Sequence, residues 1–157
     1  SLCSKELSSK SYDFVIHAAA VSDFSVKEIQ SNDSSEIIKQ DLNKMKMSSE
    51  AEITLVLKKN KKIISDLKNY SLNKNVKIIA FKLMPNSSQI EVETAVRKVF
   101  SHSGVSFVIH NTVEEVAAKK DYRKFTIYSV NKEKIESQDV DGVLGLALKI
   151  STLMIGG

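Results

Sequence analysis

The sequence predicts an α/β fold with a doubly wound, mostly parallel sheet and helices on both faces, and two observations carry this prediction. Continuous apolar runs at residues 14–21 and 76–81 are typical of strands that are buried on both faces. These runs alternate with segments of helical spacing at residues 61–69 and 88–101. Alternating strands and helices favour parallel strands joined by crossover helices, so we expect one α/β domain over residues 1–157.

The other elements follow from the same periodicities. Residues 1–11 are polar and rich in serine and lysine, which indicates a helix end and a loop. We expect a flexible polar loop at about residues 25–50, because this stretch offers almost no apolar anchor. The remaining predicted elements are a strand at 53–57, a core strand at 107–110, a more alternating edge strand at 125–130 and a final helix at 142–153.

Composition excludes several classes of protein. Apolar residues make up 42% and charged residues 27% of the chain, which is typical of a globular domain. A single cysteine, Cys3, excludes an internal disulfide, and the three histidines are too scattered for a zinc motif. No apolar run is long enough to cross a bilayer, and the net charge of +4 comes from scattered lysines. We therefore expect a cytoplasmic protein with no metal-ligand set, no membrane span and no nucleic-acid partner.

Two strand ends are the first candidates for a ligand site. Phe-Val-Ile-His occurs at residues 14–17 and again at 107–110, and each copy ends a predicted core strand. Ligands of parallel sheets bind at the carboxyl ends of the strands, so the repeat nominates two neighbouring strand ends for one crevice. Two similar buried strands with no shared role explain the repeat equally well. After the first copy, Ala18 and Ala19 would let a ligand approach the backbone closely, although packing alone also explains small residues there.

Five segments in order resemble one known family. They are AAAVSDF at 18–24, KMSS at 46–49, LKKNKKII at 57–64, AFKL at 80–83 and a strand that ends in Asn111. This series is similar to the phosphopantothenate–cysteine ligases, above all those not fused to a decarboxylase, and the similarity runs from about Asp13 to Ile150. Each motif alone is unspecific, whereas five in this order are fairly specific. The resemblance implies a Rossmann-like nucleotide-binding domain.

The resemblance assigns roles to individual residues. It implies that Lys46 is the catalytic lysine, with Lys44 as another possible register, and that Asn111 contacts the substrate. The residues that it assigns to the nucleotide are Ala18, Ala19, Asp23, Lys61, Lys62, Ile63, Phe81, Lys98 and His102. The resemblance also implies that a helix begins at Lys61 and helps to hold the nucleotide, a role that suits a helix N-terminus because it is a ready anion site.

The implied reaction is a coenzyme A biosynthesis step in two stages. The carboxylate of 4'-phosphopantothenate attacks the α-phosphate of CTP or ATP, and the amine of cysteine then attacks the acyl-nucleotide. Lysines and Mg²⁺ are the expected stabilisers of the phosphate charge. A lysine on a flexible loop suits this role because a closing loop delivers its charge. The resemblance also implies a homodimer.

The sequence departs from the family pattern in three places. The family opens with a Gly-rich phosphate turn and a functional Asn, whereas this chain has five glycines and no early Gly-rich loop. We therefore expect a sheet that is incomplete at its N-terminal side and no activity from these 157 residues alone. His102 stands where bacterial members usually carry lysine, which leaves CTP and ATP both open. Thr112 stands where many bacterial members carry aspartate.

Two other functions remain open at this point. The strand-plus-alanine segment also resembles NAD(P)-dependent short-chain or extended dehydrogenases, and Tyr70 and Lys74 have the Tyr-x-x-x-Lys spacing of their proton-transfer pair. The Gly-rich dinucleotide fingerprint of that class is missing, however. A third possibility is a non-catalytic homologue that acts in dimerisation or regulation.

Overall fold

The computed structural model describes residues 2–31, 37–38, 53–118 and 122–155. The chain divides into two compact units: a main unit of Ser1–Ala19 with Ile63–Gly157, and an inserted unit of Ala20–Lys62. In chain order the described elements are α1 (Leu2–Ser9), β1 (Phe14–His17), β2 (Phe24–Ser31), β3 (Ile37–Ile38), β4 (Ile53–Lys59), a 3-10 turn (Ile63–Ser65), α2 (Leu67–Tyr70), β5 (Lys77–Met84), α3 (Gln89–Phe100), β6 (Val105–Thr112), α4 (Val113–Ala117), β7 (Lys124–Asn131), β8 (Lys134–Asp141) and α5 (Gly142–Ile155).

Five described strands form the sheet of the main unit, in the order β1, β5, β6, β7, β8. β1, β5 and β6 run parallel, whereas β7 runs antiparallel to both β6 and β8. Four of these five strands therefore point the same way, and the predicted α/β class with a mostly parallel sheet is confirmed. Ile78 and Ile79 of β5 are both fully buried, as a continuous apolar run predicts for a central strand.

Helices cover both faces of this sheet, as predicted. On the face that we call the α3 face, Val96 of α3 packs on Val108 of β6. α1 and α2 pack on the same face around Ile78. On the opposite face, which we call the α5 face, Leu146 of α5 packs against Ile109 and its neighbours. Successive residues of a strand point to opposite faces, so this division assigns every strand side chain to one helical layer.

The inserted unit contains a small antiparallel sheet in the order β3, β2, β4. Asn60 ties its first strand to its last: the Asn60 backbone N–H donates to the Asp23 carbonyl at 2.8 Å, and Nδ2 donates to the Ser22 carbonyl at 3.0 Å. The prediction of a loop over residues 25–50 is thus wrong for β2 and β3. Their stability comes from pairing across the chain, which local composition does not reveal. The rest of that predicted loop lies outside the described residues.

Two further predictions need correction. The helix predicted to begin at Lys61 is a 3-10 turn at Ile63–Ser65 followed by the four-residue α2. Ile63 and Ile64 are both partly buried against the cluster around Leu67. β7 is not the edge strand, because β8 pairs outside it. None of the described helices is long and apolar enough to span a bilayer.

Candidate functional site

The carboxyl ends of β1, β5 and β6 meet at one edge of the main sheet, which we call the carboxyl edge. His17 ends β1 and pairs with Ala80 of β5. On the other side of β5, Phe81 lies beside Ile109, two residues before Asn111 of β6. Ligands of open parallel sheets bind outside this edge, so these strand ends form the candidate site.

On the α5 face of the carboxyl edge, an aromatic ring and an amide lie close together. Phe81 is partly buried and packs against the cluster of Ile79 and Ile109. Asn111 follows Ile109 by two residues, so its half-buried side chain lies on the same face. Among the described residues it has no side-chain hydrogen-bond partner. Ala18 and Ala19 continue directly from β1 and are exposed. The edge therefore offers a ring, a free amide and an accessible backbone to a planar, hydrogen-bonding ligand.

On the α3 face of the same edge, four polar side chains from four neighbouring strands lie side by side in register. Lys82 of β5 pairs with His110 of β6, His110 pairs with Thr126 of β7, and Thr126 pairs with Asp139 of β8. The Thr126 hydroxyl donates to Oδ1 of Asp139 at 2.8 Å. We call Lys82, His110, Thr126 and Asp139 the polar row. It carries a cation at one end and a carboxylate at the other.

The two histidines of the repeated Phe-Val-Ile-His motif both end up on this α3 face. β5 lies between their strands, however, and His17 aligns with Ala80 whereas His110 aligns with Lys82, two residues further along. Burial lowers the pKa of His17. Burial, followed by the nearby charge of Lys82, lowers the pKa of His110. Both imidazoles are therefore held neutral near pH 7.

The N-terminus of α3 lies next to the polar row, on the α3 face of the sheet. Its N-cap is Ser88, whose hydroxyl accepts from the Glu91 backbone N–H while the Glu91 carboxylate accepts from the Ser88 backbone N–H. Gln89, the first residue of the helix, hydrogen-bonds Tyr128, which lies one row further from the edge than Thr126. This capping box fixes where the helix starts, because it satisfies N–H groups that have no partner within the helix.

Three residues predicted to bind the nucleotide lie away from the carboxyl edge. Ile63 packs in the cluster around Ile78, near the amino end of β5. Lys98 is exposed in the last turn of α3, and His102 follows that turn before β6 begins. α3 runs from the carboxyl edge to the opposite edge of the sheet, so its last turn does not reach Phe81 or Asn111. Their nucleotide-binding role remains a prediction that this placement does not support.

The other predicted residues belong to the inserted unit. The carboxylate of Asp23 lies 3.7 Å from Nζ of Lys62, and both side chains are largely exposed. Lys61 precedes the 3-10 turn and is also exposed. Lys46, the predicted catalytic lysine, lies outside the described residues, as does Lys44. The structure thus brings together Ala18, Ala19, Phe81 and Asn111 from the predicted set.

A divalent cation has few protein ligands in the part of the chain that the structure describes. No group of three His, Cys, Asp or Glu side chains converges there. Asp23 is already paired with Lys62. Mg²⁺ often binds through one or two carboxylates and the phosphates of its substrate, but the described residues do not form such a site.

Sequence reasoning missed the polar row entirely. In the sequence, Lys82 stands out only as the residue after Phe81, and His110 only as the last residue of a repeated motif. Their relationship depends on strand register, which a sequence without a pairing partner does not define. The one available signal was the polar character of both residues in otherwise apolar strands.

Comparison with known proteins identifies the family of this chain. Residues 3–149 match the model of the DNA/pantothenate metabolism flavoprotein C-terminal domain. The chain belongs to this family. A coenzyme A biosynthesis bifunctional protein CoaBC from Methanocaldococcus jannaschii is 27% identical over 127 residues, 81% of this chain and 27% of that protein. The protein of the same description from Thermococcus kodakarensis is 33% identical over 116 residues, 74% of this chain and 25% of that protein.

A solved structure has a fold similar to the one observed for this chain. The crystal structure of the DNA/pantothenate metabolism flavoprotein from Streptococcus pneumoniae superposes with a TM-score of 0.68 at 22% identity, over 97% of this chain and 66% of that one. The resemblance found in the five motifs is therefore confirmed at the level of the family. The chain spans about a quarter of the length of the curated relatives that it matches.

Proposed function

We propose that this chain acts in coenzyme A biosynthesis, in the nucleotide-dependent ligation of cysteine to 4'-phosphopantothenate. The family match over residues 3–149 carries this proposal. The curated relatives, both described as coenzyme A biosynthesis bifunctional proteins, support the pathway. The carboxyl edge supports the ligand class, because a ring, an unpaired amide and an exposed backbone suit a nucleotide.

The proposal assigns a role to Phe81, Ala18, Ala19, Asn111 and Lys46. Phe81 contacts the base, the backbone at Ala18 and Ala19 lies against the nucleoside, and Asn111 donates or accepts a hydrogen bond through its free amide. Lys46, assigned from the family resemblance, supplies positive charge to the α-phosphate. Charge develops on the phosphate oxygens during transfer, so a lysine positioned there lowers the barrier.

The proposed reaction has two steps. In the first, a carboxylate oxygen of 4'-phosphopantothenate bonds to the α-phosphorus of CTP or ATP, and pyrophosphate leaves. In the second, the cysteine nitrogen bonds to the activated carbonyl carbon, the nucleoside monophosphate leaves, and the amine loses a proton. Mg²⁺ would enter bound to the triphosphate and neutralise part of its charge.

The dehydrogenase alternative loses one of its two supports, the Tyr70–Lys74 pair, in the structure. Lys74 donates through Nζ to the backbone carbonyls of Asn69 and Ser71, at 3.2 and 2.7 Å. The Tyr70 hydroxyl instead approaches the Asp66 carboxylate at 3.4 Å. A Tyr–Lys pair for proton transfer requires the ammonium beside the phenol, which these partners do not provide.

We also propose a homodimer that forms through the inserted unit. Leu55 and Leu57 of β4 are each 53% exposed, and Phe24 of β2 is exposed to the same extent. Apolar side chains grouped on one small sheet are typical of an association surface. Light scattering on the purified protein tests this proposal, and Leu57→Lys should shift the mass toward the monomer. A monomeric wild-type protein at tens of micromolar would contradict it.

The decisive experiment measures pyrophosphate release by the complete gene product with Mg²⁺ and either CTP or ATP. Release should require 4'-phosphopantothenate, and amide product should appear only when cysteine is added. Release that ignores 4'-phosphopantothenate would rule the proposal out. No release with either nucleotide, together with retained dimerisation, would favour the non-catalytic alternative.

Two variants connect the activity to the carboxyl edge. Asn111→Ala should weaken nucleotide binding by about tenfold, which corresponds to about 1.4 kcal/mol for one lost hydrogen bond. Asn75→Ala is the matched control, because Asn75 is exposed near the amino end of β5. Lys46→Gln should slow amide formation far more than it weakens 4'-phosphopantothenate binding. Equal nucleotide affinity in Asn111→Ala and Asn75→Ala would remove the carboxyl edge from the proposal.

A further inference from the structure

His110 presents an unusual buried group. Its side chain is 8% exposed, and its Nε2 atom has no hydrogen-bond partner and no contact with solvent. The ring meets Tyr128 edge-on, with 6.4 Å between the ring centres and 67° between the planes. A buried polar atom without a partner is destabilising, so such atoms are rare in folded proteins and call for an explanation.

Lys82 lies beside His110 in register and is also without a partner. Among the described residues it forms no ion pair and no hydrogen bond, although it is only partly exposed. Two neighbouring nitrogen groups therefore lack acceptors at the same point of the sheet. The point is the carboxyl edge of two central parallel strands, where this class of fold binds ligands.

The charged groups around this pair favour one sign of ligand. Asp139 is at the far end of the polar row and already accepts from Thr126. Glu93 of α3 acts on Tyr128 rather than on His110. Lys82 is the charged group that acts on His110. A cation placed here would meet an ammonium, whereas an anion would gain two donors.

We propose that Lys82 and His110 form an oxyanion-binding subsite on the α3 face of the carboxyl edge. The ammonium of Lys82 supplies the charge, and the imidazole of His110 supplies an N–H once it turns toward its register neighbour. The ligand class is a phosphate or carboxylate group. This subsite is separate from the proposed nucleotide site, because Phe81 and Asn111 lie on the α5 face of the sheet.

Proton linkage gives the subsite a distinctive signature. The bound anion favours the imidazolium form of His110, so binding should take up a proton and strengthen as the pH falls toward the pKa of the imidazole. The charged and titratable groups around His110 are Lys82, Tyr128, Glu93 and Asp139, and burial together with the charges of Asp139 and Glu93 raises the pKa of Tyr128. A structural histidine would show no such dependence on the anion.

The experiment follows the imidazole signals of His110 by NMR in the whole chain. The probes are inorganic phosphate, pyrophosphate and 4'-phosphopantothenate, which separate a free phosphate from a substrate phosphate. Phosphate should move the His110 signals and raise its pKa. Lys82→Gln should weaken this binding by about tenfold, because one charge-assisted hydrogen bond is lost. Lys77→Gln, at the other end of the same strand, should leave it unchanged.

Three outcomes would overturn the subsite. They are His110 signals that none of the probes moves, an equal loss of affinity in Lys82→Gln and Lys77→Gln, or binding that is independent of pH. Lys82 is partly exposed, so its replacement by glutamine should leave the fold intact, and His110→Gln provides a second variant. Nucleotide binding at Phe81 and Asn111 is measured on the same sample. Failure of the subsite alone therefore leaves the proposed function standing, and the reverse also holds.

Discussion

Ser65 and His102 connect the 3-10 turn that precedes α2 to the segment that follows α3: the Ser65 hydroxyl oxygen lies 3.0 Å from Nδ1 of His102. The two residues are 37 positions apart in the sequence, and both are partly buried. His102 also accepts through its carbonyl from the Val105 backbone N–H at 3.3 Å. The structure therefore gives His102 a packing role at the edge of the sheet opposite the candidate site.

His102→Ala should lower stability without changing nucleotide affinity. Loss of the Ser65 hydrogen bond should reduce the free energy of unfolding by about 1 kcal/mol. Urea unfolding measures the first effect, and titration with CTP and ATP measures the second. Ser65→Ala is the matched variant and should cost a similar amount. A change of nucleotide preference in His102→Ala would restore its predicted role at the nucleotide.

Gly104→Ala should destabilise the main unit by about 1–3 kcal/mol. Gly104 has a φ of +84°, and a Cβ there would lie 2.9 Å from Cδ of Lys68 and 3.1 Å from Cδ1 of Ile78. Strain of the backbone and contact with a buried isoleucine act in the same direction. Gly145→Ala in α5 is the control, because its Cβ would only approach Cγ1 of Val140 at 3.3 Å. Thermal unfolding that ranks Gly145→Ala as the more damaging change would contradict this account.

Glu133→Gly should stabilise the hairpin that joins β7 and β8. Lys132 and Glu133 form its two-residue turn with φ values of 45° and 71°, a conformation that side chains disfavour. Glycine adopts it without strain, so we expect a gain of about 1 kcal/mol in the free energy of unfolding. Glu136→Gly, within β8, should instead destabilise. Chemical unfolding of both variants checks the prediction, and a loss in both would refute it.

Stability should fall when the pH drops below about 6.5, the ordinary histidine value. The pKa of His110 is lowered in the folded state, so the unfolded chain binds more protons between the folded and unfolded pKa values. The contribution of His110 is therefore complete above the unfolded pKa and is lost as the pH falls toward the folded one. The slope is at most about 1.4 kcal/mol per pH unit for this group.

Unfolding curves at several pH values between about 5 and 8 measure this slope, and His110→Gln should flatten it. His17, whose pKa burial also lowers, adds in the same direction. The carboxylates of Glu6 and Glu91 have lowered pKa values, so their contribution is lost only in more acidic solution. Equal slopes for the wild type and His110→Gln would show that His110 is accessible to protons in the folded protein.

The sequence was informative where burial leaves a local pattern. β5 and β6 were predicted because Ile78, Ile79, Val108 and Ile109 are consecutive apolar residues that are buried on both faces. β8 was missed because its sequence, KIESQDVD, is mostly polar and exposed, as an edge strand allows. Its turn at Lys132 also lacks the glycine that usually announces a hairpin.

The candidate site was predictable only in part for the same reason. Phe81 and Asn111 were named from the family resemblance, but their shared face follows from the pairing of β5 with β6, which the sequence alone does not specify. Lys98 and His102 were assigned to the nucleotide from the family resemblance, and Lys98 lies on the helix predicted at residues 88–101. Which end of that helix faces the ligand depends on the direction of the crossover, and their turn is at the other end.

The pairing of Phe24 with Lys59, together with the backbone hydrogen bond from Asn60 to Asp23, holds the two ends of the inserted unit together. The unit is therefore a separable segment of the chain. Its entry and exit points lie on adjacent antiparallel strands, about 5 Å apart between Cα atoms. A gap of that width can be closed by a short glycine linker with little loop entropy. The unit should therefore be removable from one homologue and transplantable into another at these two points, without changes to the main sheet.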